Sequence, residues 1–173
     1  MKIITCNQQD HSGAILAIFN VAIAKTTALY EYQPRTTADM DIWFADKRKG
    51  NYPVLGIESA SGELIAFGTY GLFRAKAAYK YTVEHSLYVR EDQRGVGLGP
   101  VILGAIIDSA KRQGYHTLIG VIESNNEASI ALHKKRGFEP CGVIRQSGFK
   151  FGQWLDTALF QLIIDAPSDP IDG

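Results

Sequence analysis

The stretch that most constrains the fold runs from Tyr79 to Gly114. An apolar, β-rich run, Tyr79 to Val89, leads into Arg90-Glu91-Asp92-Gln93-Arg94-Gly95-Val96-Gly97-Leu98-Gly99-Pro100, and a helical pattern from Val101 to Gln113 follows until Gly114 closes it. A strand must therefore hand over to a helix through a glycine-rich turn. The helix is expected to begin at or near Pro100, because a first-turn N–H has no intrahelical partner and its loss there is harmless. Helix starts leave backbone N–H groups unpaired and concentrate positive dipole, so they attract anions. Gly95, Gly97 and Gly99 carry no Cβ to hold a ligand off those groups, and Arg94 adds a donor fork suited to phosphate oxygens. The turn reads as a diphosphate cradle, with a ligand-free turn as the plainer alternative. Its G-x-G-x-G spacing matches neither G-x-x-x-x-G-K-[ST] nor G-x-G-x-x-G, which disfavours a P-loop or a dinucleotide fold.

The other segments supply a frame for this unit. Lys2 to Cys6 reads as a strand. A helix carrying Ala14, Ile15, Ile18, Val21 and Ala22 follows, capped by Asp10 or Ser12. A polar and aromatic loop, Tyr30 to Thr36, precedes a second helix capped by Thr37 and carrying Met40, Trp43 and Phe44. Pro53 to Glu58 and Glu63 to Phe73 form a hairpin, and Thr117 to Ile122 is apolar enough for a strand covered on both faces. Asn125 or Asn126 caps a helix from Glu127 to Arg136, and Gly137 ends it. Val143 to Gln146 and Phe149 to Ile164 are expected to form a final hairpin. The order β-α-α-β-β-β-α-β-α-β-β describes an α/β (α+β) domain with a mixed sheet under helices. It spans residues 1–164, with 165–173 a loose tail.

Composition narrows the partners. Lys plus Arg and Asp plus Glu are 18 each, so no nucleic-acid or membrane-surface binder is indicated. Cys6 and Cys141 have no metal-ligand spacing and read as buried free thiols of a reducing compartment; no metal site is expected. No apolar run approaches the roughly 20 residues that span a bilayer, and the expectation is a soluble cytoplasmic protein.

Glu84 is the first candidate for chemistry. Alternation places Lys80, Thr82, Glu84 and Ser86 on one face of its strand and Tyr81, Val83, His85 and Leu87 on the other. Burial raises a carboxyl pKa toward the range of a general base; a structural ion pair with Arg74 or Lys80 is the alternative. His133, one turn from Ser129, is either catalytic or a satisfied helix histidine. His85 and His116 read as structural and His11 as solvated. Arg74, Lys76 and Arg35 are loop cations able to hold a carboxylate or phosphinate. Phe149 and Trp154 line a pocket or belong to the core.

Arg94-Gly95-Val96-Gly97-Leu98-Gly99 resembles the R/Q-x-x-G-x-G/A acyl-CoA signature of the GNAT superfamily of N-acetyltransferases. Asn126 to Phe138 is similar to the superfamily's N-x-x-(A/S)-x-x-L-Y-x-x-x-G-F segment, with His133 where many members have tyrosine. The blocks Phe73-Arg74…Ala78-Tyr79…Thr82-Val83-Glu84-His85-Ser86-Leu87-Tyr88-Val89 and Gly148 to Asp156 resemble the branch acting on phosphinothricin, methionine sulfoximine and methionine sulfone, which also has histidine at that place. Together the likeness runs from Lys2 to Ile164. It implies a mostly antiparallel sheet of seven strands with helices on both faces and a splayed acyl-CoA cleft. It further implies an acetyl-CoA-dependent acyltransferase that acetylates the α-amine of a small amino acid, in a homodimer. By the same resemblance Glu84 is the general base and His133 the acid or auxiliary base. Leu87, Tyr88, Val89, Arg94, Gly95, Val96, Gly97, Leu98, Gly99, Asn126 and Ser129 hold the co-substrate, and Arg74, Tyr79, Glu84 and Lys150 meet the amino acid. Another amine substrate, or a non-catalytic acyl-CoA sensor, are the competing expectations.

Overall fold

The computed structural model describes residues 1–172. Seven strands form one sheet in the order β1-β2-β3-β4-β5-β7-β6: β1 (Lys2–Thr5), β2 (Val54–Glu58), β3 (Leu64–Leu72), β4 (Thr82–Val89), β5 (Thr117–Glu123), β6 (Glu139–Lys150) and β7 (Gln153–Ile163). All neighbouring pairs are antiparallel except β4 and β5. Four helices cover it: α1 (Gln8–Lys25), α2 (Thr37–Lys49), α3 (Leu98–Arg112) and α4 (Glu127–Lys135). The expected mixed, mostly antiparallel sheet and its element order are present.

The core has two layers. On one face α3 buries Leu98, Ile102, Leu103 and Ile106 against Ile57, Ala66, Val83, Leu118 and Phe160. On the other, α1 and α2 bury Ile15, Ile18, Phe19, Met40 and Phe44 against Val54, Leu64 and Phe67. The three- and four-residue spacing of those side chains makes one stripe per helix. Asn7, rather than Asp10 or Ser12, caps α1 by accepting the Asp10 N–H at 2.8 Å. Thr36, not Thr37, caps α2, because only Thr36 has an acid three residues on to close a capping box with Asp39.

Three boundaries also differ from expectation. β4 begins at Thr82, since Ala77–Tyr79 coils into a 3-10 turn. Helix α3 starts at Leu98 with Gly97 as its cap, so Pro100 sits in the first turn rather than at its first position. The last hairpin turns at Phe151-Gly152, whose φ values of 52° and 75° suit a tight hairpin. The expected turn near Gln146 is a bulge: Gln146 has φ 50°, donates its N–H to Asp156 Oδ1 at 2.8 Å, and shifts the β6–β7 register while the strand continues. The tail is not loose throughout, for Tyr81 Oη accepts the Ile171 N–H at 3.0 Å and the Ala166 carbonyl lies 3.0 Å from His116 Nδ1. Gly173, the last residue of the expected tail, lies outside the described residues.

Candidate active site

Strand β4 organises the site because it leaves β5 halfway along. Thr82 to His85 pair with Thr117 to Gly120, and there the pairing stops. Ser86 to Val89 stay with β3, while Val121 to Glu123 follow β7, so a wedge opens between them. The Arg90 N–H donates to Ile65 on β3 at 2.9 Å. Antiparallel alternation then turns the N–H groups of Leu87 and Val89 the other way, into the wedge.

At the mouth of the wedge is the glycine turn. Gly95 and Gly97 have φ of 79° and 86°, a left-handed conformation that side chains resist, and a Cβ built on either would meet nothing within 4 Å. Open space therefore faces a backbone that only glycine adopts easily. Among the described residues, the N–H groups of Gly95, Val96 and Gly97 make no hydrogen bond to the chain. Gly99 has a different reason: its Cβ would press on Leu132 Cδ2 at 3.1 Å, so its absence lets α3 close on α4. A cleft of about 840 Å³ joins turn and wedge. It is lined by Leu87, Tyr88, Val89, Arg94, Gly95, Gly97, Leu98, Gly99, Asn126 and Ser129, which leaves out only Val96 of the residues expected to hold the co-substrate. Val96 points outward, 62% exposed. Asn126 Oδ1 caps α4 by accepting the Ser129 N–H at 3.1 Å.

The two candidates for proton transfer lie on opposite faces of β4. Glu84 faces α2 with Gly71 as its cross-strand partner. Burial raises its pKa, opposed by the charges of Arg74 and Lys47. Among the described residues it has no ion pair within 4 Å, so the structural-pair alternative with Arg74 or Lys80 is absent. Arg74 lies over the Phe73 ring at 4.7 Å, and Tyr79 meets the same ring edge-on at 5.6 Å. Both hang from the β3–β4 connection at the Glu84 end. Lys47, which the sequence analysis did not single out, is buried enough to hold its ammonium down to about 8 and donates to the Tyr70 carbonyl at 2.8 Å. Nothing in its Lys-Arg-Lys run marks this role; only the packing of α2 on β3 creates it.

Two expectations need correction. Lys150 does not face the cleft: the residue is 3% exposed and its ammonium donates to the carbonyls of Ile23 at 2.8 Å, Thr26 at 2.9 Å and Leu29 at 2.6 Å. With three acceptors converging on it, no proton donor is left for a substrate, and the residue instead ties the end of α1 to β6. His85, expected to be structural, is buried on the face of β4 opposite Glu84. It shares the α3 and α4 face of the sheet with His133, and their Nε2 atoms stand 2.9 Å apart. Burial lowers the pKa of both rings, His85 to about 3. The thiols divide as well: Cys6 is buried, which pushes its pKa to about 12, but Cys141 is exposed. Trp154 and Phe149 are not core; they are 62% and 46% exposed and pack edge to face at 5.1 Å. Among the described residues, no three His, Cys, Asp or Glu side chains are grouped to hold a metal ion, and no helix is long and apolar enough to cross a membrane.

Comparison with known proteins agrees with this geometry. The profile of the family described as "Acetyltransferase (GNAT) domain" matches residues 3–159. An L-methionine sulfoximine/L-methionine sulfone acetyltransferase of Pseudomonas aeruginosa is 45% identical over 151 residues, covering 87% of this chain and 88% of the relative. A phosphinothricin N-acetyltransferase of Alcaligenes faecalis is 32% identical over 160 residues, covering 92% and 81%. An acetyltransferase of Salmonella typhimurium, solved with its cofactor acetyl-CoA, superposes with a TM-score of 0.93 at 36% identity, covering 99% of this chain and 98% of that one. With its wedge, its open glycine turn and these relatives, the chain belongs to the GNAT acetyltransferase family.

Proposed function

We propose that the protein transfers the acetyl group of acetyl-CoA to the α-amine of a small amino acid of the methionine sulfoximine, methionine sulfone or phosphinothricin kind. The observation that carries this reading is the wedge itself, with unpaired glycine N–H groups at its mouth and a carboxyl group of raised pKa on the strand that forms its wall. The residues fit the co-substrate: the turn from Gly95 to Gly99 takes the diphosphate, the outward N–H groups of Leu87 and Val89 face the pantetheine arm, and Asn126 and Ser129 border it. Glu84 removes the proton that an ammonium must lose before its nitrogen can attack a thioester. The Val89 N–H supports the oxyanion that forms, and His133 returns a proton to the departing thiolate. Arg74 and Tyr79 flank the amino acid. The names of the relatives support the substrate class.

The protein acts as a homodimer and in the cytoplasm. β6 is an edge strand, and Val143, Ile144, Phe149, Phe151 and Trp154 are each between 46% and 57% exposed or, for Trp154, 62%. An apolar edge of this kind calls for a partner, and a second copy is the self-complementary one. An exposed free thiol at Cys141 suits a reducing compartment. The test is a thiol-release assay with acetyl-CoA against amino acids and their sulfone, sulfoximine and phosphinate analogues. Turnover confined to those analogues and methionine-like amino acids is expected; turnover only with polyamines or aminoglycosides, or with no amine, refutes the assignment.

A further inference from the structure

The His85–His133 contact imposes a proton count. His85 Nδ1 lies 2.8 Å from the Ile119 carbonyl, His133 Nδ1 lies 2.7 Å from the Ser129 carbonyl, and the two Nε2 atoms are 2.9 Å apart. A carbonyl only accepts, so each of these three contacts needs one proton on a ring nitrogen. Two neutral imidazoles bring two protons. One more satisfies all three contacts at once. We propose that the two rings hold this one extra proton in common between their Nε2 atoms, and that His85 thereby sets the protonation state of His133, which discharges into the cleft through the Ser129 hydroxyl.

The fold builds the pair deliberately enough to explain its residues. Gly120, the β5 residue opposite His85, is where the rings meet; a Cβ there would stand 3.1 Å from His133 Cδ2 and from His85 Cε1. Phe138 closes the far side at 5.2 and 5.0 Å from the two ring centres. On β4, alternation puts Glu84 on the opposite face. On α4, Lys134 and Lys135 are exposed. From β5, Glu123 lines the same small cavity, about 90 Å³, with its carboxylate held by the Asn125 N–H at 3.0 Å and the Thr27 hydroxyl at 3.3 Å. Burial opposes charge on either ring taken singly, but the neutral pair must set two lone pairs against each other in one of the three contacts, an unmade buried hydrogen bond that offsets that cost. A second proton is refused, since two imidazolium rings would then face at 2.9 Å.

A discharge route is present. Ser129 Oγ lies 3.4 Å from His133 Nδ1 and borders both this cavity and the larger cleft. When the thioester C–S bond breaks, its electron pair goes to sulfur, and the sulfur takes the Ser129 hydroxyl proton as Ser129 takes the Nδ1 proton of His133. The shared proton then settles on His133 Nε2 and is donated to His85 Nε2. The amine releases two protons over the reaction, one from the ammonium and one after attack; one recharges the pair and the other leaves to water. His85 does not line the larger cleft and acts only through its contact with His133, so it is a positioning residue. This route rests on the proposed acetyl transfer, whereas the shared proton does not.

The test is therefore in two parts. Imidazole ¹⁵N spectra of the full-length protein, recorded without substrate from acid to mildly alkaline pH, are expected to show one proton taken up by the pair, both Nδ1 atoms protonated, and both Nε2 atoms at intermediate shift. Two neutral rings of fixed protonation across that range, or two independent imidazolium ions, overturn the proposal. His85→Gln keeps an acceptor opposite His133 but cannot share the charge. The alkaline limb of its kcat profile is expected to move down by about one pH unit, with the acetyl-CoA KM unchanged; a wild-type profile in H85Q overturns the relay. Should H85Q fail to fold, the wild-type spectra still decide the shared proton, and Ser129→Ala, expected to keep that spectral signature while lowering kcat, decides the route. If no amine is acetylated by the wild-type protein, the proposed activity falls and the spectra decide the pair alone.

Discussion

Replacing Lys150 by methionine separates a substrate ligand from a structural tether. The side chain is 3% exposed and its ammonium satisfies three carbonyls, of Ile23, Thr26 and Leu29, at 2.8, 2.9 and 2.6 Å. A hydrogen bond to a charged group contributes about 1.5–3 kcal/mol net, and a donor removed from buried acceptors leaves their desolvation uncompensated. Three such bonds summed would overstate the loss, because the Thr26–Leu29 segment borders solvent and can recruit water. A loss of about 3–5 kcal/mol is the expectation, comparable with breaking a buried charged contact elsewhere. At roughly 3 °C per kcal/mol for a domain of this length, Tm falls by about 9–15 °C. Methionine keeps the volume and the apolar stem, so the change isolates the ammonium. Thermal unfolding followed by circular dichroism, with urea unfolding as a check, measures it. A K150M protein that melts within about 2 °C of wild type refutes the tether, and a raised KM for the amino acid alongside it would return Lys150 to the substrate pocket.

The other expectations concern cleft and edge. Glu84→Gln should lower kcat by about 10²–10⁴-fold while calorimetry finds acetyl-CoA affinity unchanged; unaltered turnover removes Glu84 from the mechanism. Burial raises the folded pKa of Glu84 above its unfolded value, so the stability linked to its proton is whole below the unfolded pKa and is lost as pH rises through the folded one. E84Q should accordingly gain stability relative to wild type between acid and neutral pH in urea titrations, and a gain in the opposite direction would contradict the burial argument. Gly97→Val forces a β-branched residue to φ 86°, a strain of at least about 1–2 kcal/mol, and fills the space at the turn. Acetyl-CoA affinity should drop tenfold or more, and an unchanged calorimetric isotherm would sink the cradle. Trp154→Asp should convert a dimer to a monomer in light scattering; a wild-type monomer already present at micromolar concentration refutes the edge as an interface.

Local signals were legible where chemistry acts over a few residues. The Tyr79–Gly114 unit, the helical stripes of α1 and α3, and the β-rich runs follow from periodicity and from glycines whose positive φ few other residues tolerate. Glu84 was singled out as a carboxyl group in a strand of mostly apolar neighbours ten residues before Arg94, and strand alternation sets it on the face opposite His85. Boundaries went astray where two local signals competed: Thr36 against Thr37 for one cap, and a bulge against a turn at Gln146.

What only the tertiary structure decided is which groups meet across distant segments. Lys150 and the end of α1 are more than a hundred residues apart, as are Tyr32 and the Phe149 carbonyl that its hydroxyl reaches at 2.6 Å. His85 and His133 lie 48 positions apart and touch because Gly120 leaves room between them. Periodicity assigns a side chain to a face, but hydrogen-bond partners depend on packing to within a few tenths of an ångström, which is a property of the folded sheet and its helices rather than of any one stretch of chain.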